Sequence, residues 1–195
     1  MNPQTLTITA GARMPTAHGD FLMESFRCGV EHLPHLVLSV GLDRERIPLV
    51  RVHSECATGE VFASLRCDCR AQLEESLRRI QEAGCGMVVY LRQEGRGIGI
   101  ENKLKAYALQ DRGLDTVDAN VALGLPIDAR CYAPAVAYLQ HRGVRRCALL
   151  TNNPHKVRAL EAHGIRVTRA PLRSGGHEGC RGYLETKRLR MGQDC

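Results

Sequence analysis

The feature that most constrains this chain is the stretch Arg51-Val-His-Ser-Glu-Cys-Ala-Thr-Gly-Glu-Val-Phe-Ala-Ser-Leu-Arg-Cys-Asp-Cys69, which gathers three thiols, a histidine, carboxylates and two arginines. Such density asks for a metal, and a fold that serves it must bring Cys56, Cys67 and Cys69 together. They are three soft ligands with no fourth Cys or His at a short spacing, and three protein ligands plus an open position is how a catalytic zinc is built. Two plainer readings stay open: a closed structural site completed by a distant Cys or His, and three unrelated buried thiols. His53 alone says less, because a lone histidine beside a strand is more often hydrogen-bonded than metal-bound.

The residues around this stretch read as α/β. From 5 to 53, Leu6 and Ile8 alternate with Thr, and Phe21-Leu-Met, Leu36-Val-Leu-Ser-Val and Leu49-Val-Arg-Val are β-prone runs separated by Gly or Pro. If the last strand continues, Arg51, His53 and Glu55 share one face; the plainer reading is a solvent-facing strand edge with an ion pair. Leu73, Leu77 and Ile80 recur at helical spacing over 71–83, with Gly84 as the stop. Cys67 and Cys69 therefore fall at a loop-to-helix junction, where a positive helix end and a metal favour thiolates.

Met87-Val-Val-Tyr-Leu is a buried-strand run that feeds Arg92-Gln-Glu-Gly-Arg-Gly-Ile-Gly and then a helix from about Glu101 to Arg112, ended by Gly113. Strand, glycine-rich turn and helix suggest a phosphate cradle, strengthened by the forks of Arg92 and Arg96. A plain tight turn is an equal alternative, because Ile100 stands where a dinucleotide fingerprint has its third glycine and no P-loop is present. Asp128 and Arg130 face one side if 126–132 is extended, a spacing that usually means a structural salt bridge. A helix is expected from Pro134. Residues 144–170 read as a βαβ unit: strand Cys147-Ala-Leu-Leu, turn Thr-Asn-Asn, helix from Pro154 to His163, then strand Ile165-Arg-Val. Thr151 and Lys156 thus lie at a strand's carboxyl end and a helix start, where α/β proteins place ligands.

The expected architecture is a single α/β domain, 1–195, with one mixed sheet, antiparallel in its N-terminal part and βαβ-type in its C-terminal part, helices on both faces, and a flexible tail from about 172 to 195. A chain of 195 residues buries about 70% of its unfolded surface without staples. Its net charge of +6 favours an anionic partner. The arginines are scattered, Trp is absent and only three Phe occur, so no aromatic platform for nucleic acid is evident and a compact anionic substrate fits better. No secretory signal or membrane-length apolar run is seen, so the expected setting is the cytoplasm, without membrane attachment. In that reducing compartment Cys28, Cys85, Cys131, Cys147, Cys180 and Cys195 read as free thiols, mostly buried, with Cys195 exposed.

The runs RVHSECATGEVFASLRCDC, YLRQEGRGIGIENKLKAYALQDRGLDT, DARCY and LLTNNPHKV, in that order between about residues 15 and 190, resemble GTP cyclohydrolase II, the zinc enzyme at the head of riboflavin synthesis. The resemblance implies one catalytic zinc per subunit on Cys56, Cys67 and Cys69. It implies that GTP is held by Arg51, Val52, His53, Ser54, Glu55, Gln72, Glu94, Gly95, Arg96, Thr116, Thr151 and Lys156, with Mg²⁺ on the triphosphate. Zinc would lower the pKa of a water that opens guanine at C8, giving formate, pyrophosphate and 2,5-diamino-6-hydroxy-4-(5-phosphoribosylamino)pyrimidine. The resemblance makes Asp128 a base, Arg130 a nucleophile on the α-phosphorus and Tyr107 a helper in the ring chemistry. A transition-state clamp is an equally good physical role for Arg130, and a core aromatic is the plain reading of Tyr107. A homodimer is implied as well. Arg70 departs from the family, which usually has glycine there, and the Gly-rich stretch at 174–180 is atypical. Rival readings are a specialised relative that stops at the formamide, a GTP-binding regulator without turnover, and a nucleic-acid-binding zinc module.

Overall fold

The computed structural model describes residues 5–29, 33–43, 45–172 and 189–190. Seven strands form one mixed sheet: β1 (Leu6–Thr16), β2 (Gly19–Cys28), β3 (His35–Val40), β4 (Leu49–Ser54), β5 (Gly86–Leu91), β6 (Arg146–Leu150) and β7 (Arg166–Ala170), in the order β1-β2-β3-β5-β4-β6-β7. β1, β2, β3 and β5 pair antiparallel, whereas β4, β6 and β7 pair parallel. The expected division of the sheet is therefore found. Where β5 begins beside β4, a Cβ on Gly86 would lie 2.2 Å from the Leu49 carbonyl oxygen, so only glycine fits.

Strand alternation sorts the apolar residues onto two faces. Phe26, Val50, Val52, Met87, Val89, Cys147 and Leu149 belong to one cluster, and their neighbours of opposite parity, Phe21, Val88 and Leu150, to another. Helix α2 (Cys69–Ala83) brings Leu73, Leu77 and Ile80 to the second cluster. On the other face α5 (Ala133–His141) and α6 (Pro154–Glu161) deliver Val136, Tyr138, Leu139 and Leu160 to the first. Helices thus cover both faces. Phe26 sits 4.8 Å from the Tyr138 ring, and the Tyr138 hydroxyl and Arg142 both donate to Glu24 at 2.5 and 2.9 Å. Truncating fully buried Phe26 to Ala would cost about 3–5 kcal/mol.

Two short helices escaped the sequence reading: α1 (Ala57–Glu60) and α4 (Thr116–Ala122). Asp115 caps α4, its carboxylate accepting from Val117 N at 2.7 Å and Asp118 N at 2.8 Å. α3 runs Ile100–Gln110. The chain folds into two compact units that interleave along the sequence. The first draws on Met1–His53, Leu73–Arg92 and Tyr132–Leu172; the second on Ser54–Gln72, Gln93–Cys131 and Arg173–Cys195. No helix among the described residues is long and apolar enough to cross a membrane. Cys28, Cys85 and Cys147 are buried free thiols and Cys131 is exposed, while Cys180, Cys195 and nearly all of the expected tail lie outside the described residues. Leu172, where that tail was expected to begin, is 1% exposed and packed in the second cluster.

Candidate functional site

The second unit holds the thiols. The Sγ atoms of Cys56, Cys67 and Cys69 lie within 4.8 Å of one another, with Cys56 and Cys67 at 3.6 Å. Ligands about 2.3 Å from a tetrahedral zinc stand about 3.8 Å apart, so this spacing fits the ion. α1 creates the room: a Cβ on Gly59 would fall 2.8 Å from the Cys67 sulfur and 3.4 Å from that of Cys56. No fourth Cys, His, Asp or Glu joins the group among the described residues. Hydrogen bonds with Cys67 and Cys69 lower the Cys56 pKa, while the same shared bonds raise that of Cys67 and raise that of Cys69 well above its ordinary value.

Lys103, on α3, reaches Cys56 Sγ at 3.1 Å and Glu94 Oε1 at 2.9 Å. Burial works against its ammonium, but the Cys56 thiolate and Glu94 outweigh that and hold its pKa above the ordinary range. Glu94 also accepts from Ala57 N at 2.6 Å and from Gly95 N at 2.7 Å, tying the start of α1 to the glycine-rich turn. Tyr107 follows Lys103 by one helical turn, with the Arg66 guanidinium 4.9 Å and the Lys103 ammonium 5.7 Å from its ring centroid. Its pKa is pushed up to about 12, mainly by burial. The sequence reading missed Lys103, although its i, i+4 spacing from Tyr107 puts both on one helix face.

The glycine-rich turn is a 3₁₀ turn, Glu94–Gly97, whose amides mostly serve the turn itself: Gly97 N donates to Gln93 O at 3.3 Å and Gly99 N to Glu94 O at 3.0 Å. With Gly95 N on the Glu94 carboxylate and Ile98 N on Gly95 O, it has the backbone of a plain tight turn rather than a cradle of free amides. Arg96 sits at φ +60, a left-handed conformation that costs a non-glycine residue about 1–2 kcal/mol. Its carbonyl accepts from Ala129 N at 3.0 Å, and a Cβ on Gly97 would lie 2.9 Å from the Ala129 carbonyl oxygen. That close approach fixes the segment carrying Asp128 and Arg130, which form a two-pronged pair, Nε–Oδ1 at 2.8 Å and Nη2–Oδ2 at 2.5 Å. Burial opposes ionisation of Asp128, yet the hydrogen-bonded Arg130 holds its pKa below the ordinary range. Gln93, which carried no sequence signal, donates to Ser54 Oγ at 2.8 Å and accepts from Cys131 N at 3.0 Å. Gln72 donates to Asp68 Oδ2 at 2.6 Å, Glu55 is half-buried just past β4, and Thr116 opens α4.

The first unit holds the remaining candidates. Arg51 and His53 are 5% and 2% exposed on a strand between β5 and β6, so the solvent-facing edge reading is wrong; β4 is interior. Arg51 Nη1 donates to Leu150 O at 2.9 Å, and Lys156 Nζ, also buried, donates to Val52 O at 2.8 Å. His53 stacks on Tyr90 with ring centroids 5.7 Å apart, and Thr151 Oγ1 accepts from Asn153 N at 3.0 Å. Asn153 caps α6 by accepting from His155 N at 2.8 Å. These residues share the carboxyl ends of the parallel strands β4 and β6, the side where open α/β sheets bind ligands. Glu55 does not continue the strand, which ends at Ser54.

A sequence model described as GTP cyclohydrolase II matches residues 7–171. A protein named GTP cyclohydrolase-2 from Acinetobacter baumannii (strain SDF) is 51% identical over 185 residues, covering 93% of this chain and 92% of the relative. Another GTP cyclohydrolase-2, from Neisseria meningitidis serogroup C (strain ATCC 700532 / DSM 15464 / FAM18), is 46% identical and covers 97% and 96%. The riboflavin biosynthesis protein RibBA of Salinispora tropica is 50% identical over 188 residues, which span 95% of this chain but 47% of that one. With a family match over most of its length and relatives near half identity across nearly all of it, this chain belongs to the GTP cyclohydrolase II family.

Proposed function

We propose that this chain hydrolyses GTP, opening the guanine imidazole ring at C8 with release of formate and pyrophosphate. The product is 2,5-diamino-6-hydroxy-4-(5-phosphoribosylamino)pyrimidine, and the reaction is the first step of riboflavin biosynthesis. The observation that carries this reading is the convergence of Cys56, Cys67 and Cys69 within 4.8 Å in a chain of this family. Zinc bound there supplies a Lewis acid and lowers the pKa of a coordinated water toward neutrality.

The chain's own residues do the rest. Lys103 offsets thiolate charge and holds Glu94 in place. Three N–H donors already occupy Glu94, so about one of a carboxylate's four lone-pair sites remains for a guanine donor. Tyr107 keeps its proton at neutral pH and is suited to donate it as the ring opens. Arg130 and Asp128 serve the α-phosphorus. A carboxylate held below its ordinary range is a poor base for a guanidinium, which favours Arg130 as a clamp on phosphate charge over Arg130 as a nucleophile. Arg51, Val52, His53, Ser54, Glu55, Gln72, Gly95, Arg96, Thr116, Thr151 and Lys156 bind GTP in this reading, Mg²⁺ accompanies the triphosphate, and the chain acts as one catalytic domain of a cytoplasmic homodimer.

Incubating the zinc-loaded protein with GTP and Mg²⁺ and identifying the products by mass tests the proposal. Formate, pyrophosphate and the monophosphorylated pyrimidine are the expected set. GTP returned intact would mean a binding protein without turnover, and accumulation of the formamide would mean a relative that stops halfway.

A further inference from the structure

The structure assigns a second anion site to the first unit, at the end of the parallel strands opposite Thr151 and Lys156. We infer that it takes a small molecule carrying two or more phosphate groups. A cavity of about 560 Å³ opens there, lined among others by Arg46, Arg142, Arg145, Arg146, Arg166 and a single acid, Asp43. Its volume lies within the range of small-molecule pockets, about 300–1,000 Å³. β6 separates it from Thr151 by five residues, about 16 Å at the rise of an extended strand.

Two of the five arginines are engaged locally. Arg142 is neutralised by Glu24 at 2.9 Å, and Arg46 donates to the Gly84 and Ala83 carbonyls at 3.2 and 2.7 Å while keeping its charge. Asp43 offsets one more charge, so three positive charges remain on the lining. Arg145, Arg146 and Arg166 are exposed and make no side-chain hydrogen bond or ion pair to any described residue.

Strand register supplies the second argument. Arg146 and Arg166 are direct partners across the parallel pair β6–β7, so their side chains leave the same face of adjacent strands. Like charges directly opposite one another destabilise a sheet. A sheet that keeps such a pair at the mouth of a cavity, with Arg145 beside it, is arranged to receive an anion between the guanidinium forks. A phosphomonoester carries about −1.5 to −2 at neutral pH, so two phosphate groups balance the surplus of three charges where one does not. RNA or DNA fits less well, because the charge is gathered in a cavity rather than along a stripe and no Phe, Tyr or Trp lines it.

The test is titration of inorganic tripolyphosphate at low salt into the full chain, followed calorimetrically. It is repeated with Arg145→Ala/Arg166→Ala, with Lys156→Met to weaken phosphate binding at the other end of the strands, and with sulfate and a single-stranded oligonucleotide as alternative ligands. The expected result is binding that survives in Lys156→Met, falls at least tenfold in the double arginine variant, and exceeds sulfate binding at least tenfold. The arginine variant should melt no lower than wild type, because it removes a repulsion, and should turn over GTP at the wild-type rate. Tripolyphosphate binding that is unchanged in the arginine variant, or no tighter than sulfate, would overturn the site. So would an oligonucleotide that binds more tightly than tripolyphosphate and loses its affinity in the arginine variant, which would assign the patch to nucleic acid.

Discussion

Cys56, Cys67, Cys69, Glu94 and Lys103 in the second unit hold one another through side chains, whereas Arg51 and Lys156 in the first are held by the main-chain carbonyls of Leu150 and Val52. The thiol group is assembled from a four-residue helix, a helix start and a 3₁₀ turn, all joined by loops. The buried cations ride on an interior strand and on a helix packed against the sheet. A group of the first kind reorganises when one member is lost, because each side chain is another's partner. In the second kind, losing one side chain leaves a buried carbonyl unsatisfied and its neighbours in place. Reactive residues on positioned loops and binding residues on a rigid scaffold are a common division of labour.

The largest expected effect would break the thiol group into two chemistries. Tyr107→Phe should lower formate release about 10²-fold or more while some pyrophosphate still forms, and Arg130→Ala should lower pyrophosphate release on the same scale. A paired time course of both products from one GTP sample decides it. Equal loss of both products in both variants would mean that the two steps are obligatorily coupled.

A smaller effect probes clearance alone. Gly59 lies in a helix, where Ala is the better former by about 1 kcal/mol, so Gly59→Ala is strained only by the sulfur 2.8 Å from the added Cβ. Zinc affinity, measured by competition with a chelator, should fall about 10- to 100-fold, the scale seen when the surroundings of a metal ligand are disturbed. Undiminished affinity would show that the sulfur moves freely and that the thiol geometry is not set by α1.

The smallest prediction lies away from the thiols. Asp115→Ala removes both cap bonds of α4 and should cost about 1 kcal/mol. Partial burial works against the Asp115 carboxylate, but the cap bonds and the pairing with Arg190 outweigh it and hold its pKa below the ordinary range. Faster hydrogen exchange at Val117 and Asp118, with zinc content unchanged, is the expected signature.

Much of the sheet was legible because period-2 runs and Gly or Pro breaks are local signals, and the βαβ unit from Arg146 to Ala170 carried its Pro and Gly punctuation. The burial of Arg51 and His53 was not legible: a strand's place in the order β5-β4-β6 is a long-range fact, and charged residues in sequence read as surface. α1 was hidden because four residues with a central glycine have no helical period to detect. Asp115-Thr-Val-Asp did carry a cap signal that the sequence reading passed over. In the candidate site the three thiols were evident from type and spacing, and Lys103 lay one turn before Tyr107 on an expected helix, but Gln93 emerges only once the glycine-rich turn is folded.

Zinc content per chain, measured beside GTP binding in Cys67→Ser and Lys156→Met, tests the central claim most directly. If Cys56, Cys67 and Cys69 hold one catalytic zinc and the buried cations hold the nucleotide, Cys67→Ser should contain no zinc and release no formate while it still binds GTP. Lys156→Met should keep one zinc per chain and bind GTP at least tenfold more weakly, each variant remaining folded because the sheet core includes neither residue. A zinc-free Cys67→Ser protein that releases formate at the wild-type rate, or a Lys156→Met protein that loses its zinc, would contradict the account.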